Sequence, residues 1–91
     1  MTAAVILLPA LKTDLRITTE AYDSRLTEYL QAAQQAITRE GCALGDSIED
    51  NMLTVKVAAW MWEKRDQDTG LPRFLRVMLN NRIFSQHAQG G

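Results

Sequence analysis

The sequence has very little of what most enzymatic sites are built from. Cys42 is the one cysteine and His87 the one histidine of 91 residues. A lone cysteine excludes an intrachain disulfide and fits a reducing compartment. A lone histidine, placed in a polar tail, reads as surface and not as a metal ligand. Cys42 has no histidine close by to activate it as a nucleophile. No glycine-rich loop leads into a helical pattern, so the known phosphate cradles are missing. The longest apolar run, residues 3–8, falls far short of the roughly 20 residues that cross a bilayer and lacks the basic leader of a secretory signal. The expectation is therefore no catalytic site, no cofactor, no metal and no membrane segment.

What is present is 46% apolar residues, with a net charge of −1. That composition suits one small globular domain over residues 1–91 and excludes a disordered chain. The charge is unevenly spread: residues 20–68 sum to −5 and residues 69–91 to +3. The net charge argues against a wholesale nucleic-acid binder, and its distribution gives an acidic body with a basic C-terminal end.

The chain reads as all-α, a small helical bundle of two long helices and two shorter ones. Residues 1–8 form an uncapped apolar segment, expected to be extended or poorly ordered, which either covers the chain's own core or reaches a neighbour. Pro9 then opens a short helix through Leu15. Thr18 and Thr19 are cap candidates for a long helix over 20–40, with Tyr22, Leu26, Tyr29, Leu30, Ala33, Ala36 and Ile37 on one face. Its glutamine-rich opposite face reads as solvated surface, and Gly41 is a natural stop.

Residues 48–65 form the second long helix. Ser47 caps it, Glu49 and Asp50 suit its positive end, and Lys64 and Arg65 suit its negative end. At about 100° per residue, Ile48, Met52, Val55, Ala59 and Trp62 make one stripe and Leu53, Val57, Trp60 and Met61 another on the opposite side. A helix apolar on both sides must be enclosed. After a polar turn at 66–70, Pro72 starts a short helix ending near Asn80 or Asn81. Residues 82–84 follow as an apolar-basic arm, and 85–91 as a frayed, flexible tail.

Leu11-Lys12, Leu15-Arg16-Ile17 and the series Asp23, Leu26, Leu30, Ala33 and Ile37 resemble the opening of the small head–tail connector proteins of tailed phages and prophages. Residues 58–65, Ala-Ala-Trp-Met-Trp-Glu-Lys-Arg, resemble that family's central helix, and Leu71-Pro72 with Arg76 its proline-opened final helix. Leu79-Asn80-Asn81-Arg82 stands where the family often carries a Leu-x-Pro-Tyr-Arg type segment. The resemblance implies a structural protein of the virion that assembles in the host cytoplasm as a homo-oligomeric ring of about a dozen subunits, whose contacts are heterologous. It implies a position beneath the portal protein, extending the DNA channel and meeting a tail-side completion protein. Two unlike sticky faces are then needed. Leu53, Val57, Trp60, Met61, Ile83 and Phe84 are the expected interface residues. Arg73, Arg76 and Arg82 are the expected contacts to portal or DNA. The alternative is a small DNA-binding or DNA-packaging accessory protein using those three arginines for phosphate contacts.

Overall fold

A computed structural model describes residues 2–65 and 73–90. It contains four helices: α1 (Ala4–Leu15), α2 (Asp23–Arg39), α3 (Ile48–Glu63) and α4 (Arg73–Gly90). The turn expected at 66–70 and the start at Pro72 lie outside the described residues. The all-α bundle is the expected class, with two differences at its ends.

The first concerns the N-terminal segment. Residues 4–8 are helical, not extended, so α1 runs straight through Pro9. An internal proline removes one backbone hydrogen bond and costs about 3 kcal/mol or more. Ala4, Leu7 and Leu11 all become buried, which offsets that cost, and the Thr13 hydroxyl donates to the Pro9 carbonyl at 3.0 Å. The helix closes with Arg16 in the left-handed conformation, φ 59°, while the Ile17 N–H reaches back to the Lys12 carbonyl. Ile17 then packs on the core.

α2 starts at Asp23, three residues later than expected, because the Thr19 hydroxyl accepts from the Ala21 N–H and holds a turn there. Its apolar face is buried through Leu26, Leu30, Ala33 and Ile37. It ends where expected: Gly41 takes φ 104°, its N–H bonds the Thr38 carbonyl, and the Cys42 N–H bonds that of Ile37. Gln34, expected in solvent, is buried and donates through its Nε2 to the Thr2 carbonyl. It ties down the chain entering α1.

α3 is the central helix. The Ser47 hydroxyl accepts from the Asp50 N–H at 3.2 Å, as the capping pattern requires. α1 and α2 both pack on α3, and ion pairs lace them together: Lys12 to Asp23 at 2.8 Å and Lys56 to Asp14 at 3.1 Å.

The second difference is α4. It does not stop at Asn80 or Asn81 but continues as helix to Gly90, through the stretch expected as arm and tail. Two asparagines cost a helix interior only about 0.7 kcal/mol each, and contacts from Leu79, Arg82 and Gln86 hold the following turns in place.

Candidate interaction surface

The two stripes of α3 are divided along the axis of the helix, not between its sides. Leu53 and Val57 are 3% and 1% exposed and belong to the chain's own core, so they are not available to a neighbour. Trp60 and Met61 are partly buried against that core, as is Ile83 on α4. Of the expected interface residues on this stripe, Leu53 and Val57 are therefore spent on the chain's own core, while Trp60 and Met61 keep part of their surface. The other stripe is covered at its C-terminal end, where Val55 and Ala59 are buried. Trp62 there meets Tyr22 and Tyr29 edge-on, with ring centroids 5.5 and 5.6 Å apart. The Arg65 guanidinium lies over the indole, 4.2 Å from its centroid.

At its N-terminal end the same stripe is bare. Ile48 is 78% exposed and Met52 53%. They form a ridge between two open grooves. One, about 300 Å³, lies between α3 and α4 and is lined by Glu49, Met52, Leu53, Met78, Asn81 and Arg82. The other, about 310 Å³, lies between α1 and α3, with Leu7, Ala10, Ile48 and Val55 in its lining. Met52 lines both. Val77 and Met78 add exposed apolar surface on α4, and Phe84 is 76% exposed. Ile48 and Met52 were legible as apolar and periodic, but nothing in the sequence said which end of the stripe α1 and α2 leave uncovered.

Arg76 and Arg82 are placed differently. Arg76 is exposed; the side chain of Arg73 lies outside the described residues. Arg82 is engaged internally. Its Nε donates to Asp50 Oδ1 at 2.7 Å, one terminal nitrogen to Asp50 Oδ2 at 3.3 Å, and the other to Glu49 at 3.4 Å. Asp50, expected as a simple cap acid, is 2% exposed and also accepts from the Gly45 N–H at 2.8 Å. Burial alone would push its carboxyl up. Hydrogen bonds from Arg82, the Gly45 N–H and the Ser47 hydroxyl, with the Arg82 charge, outweigh this and hold it below the usual carboxylate range. The same pairing, by hydrogen bond to Asp50, raises the pKa of Arg82 further.

Among the described residues no group of three acidic, histidine or cysteine side chains is placed to hold a metal, and no helix is long and apolar enough to cross a membrane. The arrangement is that of a helical building block whose distinguishing features are packing surfaces. The model of the phage gp6-like head–tail connector protein family matches residues 5–70. That is well over half of the chain, which therefore belongs to this family and is a bacteriophage structural protein of the head–tail connector type. No curated protein and no solved structure matches it. The matched segment covers α1, α2 and α3 and ends before α4.

Proposed function

We propose that the protein is a ring-forming subunit that sits beneath the portal, lengthens the channel through which DNA passes and offers a surface to the next tail-side component. The observation that carries this reading is the apolar ridge of Ile48 and Met52 standing between two grooves. Contiguous exposed apolar surface on a small protein marks a place where another protein packs. In this reading the occupant is a second copy of the chain. Heterologous ring contacts need two unlike faces on each subunit, and the ridge supplies one. The exposed apolar side of α4, with Val77 and Phe84, supplies the other. Arg76 is exposed on the same helix and is free of the internal pairing that holds Arg82, so it can meet portal or DNA. The accessory DNA-binding alternative loses support from the Arg82–Asp50 pair, which withdraws one of its three phosphate contacts.

Light scattering across a concentration series, with and without purified portal protein, tests the reading. Assembly of the wild-type chain, abolished in Ile48→Glu/Met52→Glu with the helical signal intact, is the expected result. A wild-type chain that stays strictly monomeric at high concentration and in the presence of portal would overturn it.

A further inference from the structure

The inward face of α4 changes character halfway along. Leu75 and Leu79, both buried, lead at helical spacing to Arg82 and Gln86. The first pair is anchored by burial; the second makes polar contacts to the first turn of α3 and the loop before it. Gln86 clasps Ala43 twice, its Nε2 donating to the carbonyl at 2.6 Å and its Oε1 accepting from the N–H at 3.0 Å. Arg82 grips Asp50 one turn earlier. Ile83, between them, is only partly buried. Directly before Ala43 is Cys42, 1% exposed, so the Gln86 clasp holds the residue next to a buried thiol.

We propose that the C-terminal half of α4 is a latch, closed by the Arg82–Asp50 pair and the Gln86–Ala43 clasp, which opens about Leu79 and uncovers Cys42 while α1, α2 and α3 stay folded. The physical basis is the difference between the two kinds of anchor. Pulling Leu75 or Leu79 from the core exposes apolar surface with nothing in return. Parting the polar half hydrates every group it releases: Arg82 and Asp50 meet water together, so no charge is left buried and alone, and hydrogen bonds to water replace those of Gln86. Local opening of such a unit is cheaper than global unfolding. Glu49 and Arg82 also rim the groove between α3 and α4, so opening reshapes the surface proposed for a neighbouring subunit; the latch itself does not depend on that reading.

Cys42 is the chain's only cysteine, which makes the native thiol a reporter without further engineering. The experiment is the rate of reaction of the full chain with an aromatic disulfide reagent at neutral pH, with Trp60 and Trp62 emission followed alongside. Gln86→Ala and Arg82→Ala are each expected to raise the rate about tenfold or more with the tryptophan signal unchanged, the mark of local and not global opening. Should Arg82→Ala fail to fold, Gln86→Ala alone decides, since it removes one exposed clasp. Unchanged rates, or rates that rise only in step with global unfolding measured by denaturant, would overturn the latch.

Discussion

The body formed by α1, α2 and α3 and the strap formed by α4 are held by different physics. In the body, Leu11, Leu26, Leu30, Ala33, Val57 and Ala58 are all but completely buried. Ion pairs there, such as Lys56–Asp14, are half-exposed additions to an apolar core and are worth at most about 1 kcal/mol each. In the strap only Leu75 and Leu79 are fully buried among the described side chains, and the next two turns depend on Arg82 and Gln86. The body should therefore unfold as one unit, while the strap can be loosened separately.

The largest effect belongs to the body. Leu30→Ala should cost about 2–5 kcal/mol, the range for truncating a fully buried leucine, and denaturant unfolding followed by far-UV circular dichroism should shift as a single transition. A biphasic curve in that variant would mean that α2 separates from α3, and the contrast with the strap would fail. Trp62→Ala comes next, at about 2–4 kcal/mol, because the indole is only partly buried and its losses are the edge-on contacts to Tyr22 and Tyr29. Chemical denaturation of the purified variant measures it; a change below about 0.5 kcal/mol, typical of a surface site, would show that the aromatic cluster is decoration.

Asp50→Asn addresses the strap. The amide keeps an oxygen for the Gly45 N–H but loses the charge that holds Arg82, for an expected cost of about 1–2 kcal/mol. The same group sets a pH dependence. The folded carboxyl is held below its ordinary value, so its contribution is fully present above the unfolded value of about 3.9 and is lost as pH falls through the lower, folded one. Wild-type stability should drop in that acid window, and its advantage over Asp50→Asn should shrink there. An advantage that stays constant from neutral pH down to about pH 3 would exclude Asp50 as the source.

The body was far more legible in the sequence than the strap. Period-3.6 patterning placed α2 and α3, and Gly41 and Ser47 fixed the facing ends because their chemistry is local. The same locality hid other features. Pro9 was read as a start, although burial of Leu7 and Leu11 lets the helix form on both sides of it. The asparagine pair was read as a stop, although the contacts that carry α4 onward come from residues about 30 to 45 positions away. Asp50 was singled out as a cap acid of its own helix and Arg82 as an outward contact to portal or DNA. Their pairing is a tertiary fact with no periodic signal, and so was invisible. The doubled apolar stripe of α3 did announce surface in excess of the core, but only packing showed that the excess lies at Ile48 and Met52.

The smallest prediction has the opposite sign and compares two helix ends within the body. α1 and α2 finish with the same reach-back hydrogen bonds, Ile17 to Lys12 and Cys42 to Ile37, across a residue of positive φ. At the end of α2 that residue is Gly41; at the end of α1 it is Arg16. A side chain in the left-handed region costs about 1 kcal/mol relative to glycine. Among the described residues Arg16 has no side-chain hydrogen bond or ion-pair partner, and it is exposed. Arg16→Gly should therefore stabilise the fold by up to about 1 kcal/mol, reduced by the extra freedom glycine gives the unfolded chain. The measurement is the denaturant midpoint at unchanged slope. A loss of stability would show that Arg16 makes a contact worth more than the strain of its backbone, and the two helix ends would then not be equivalent.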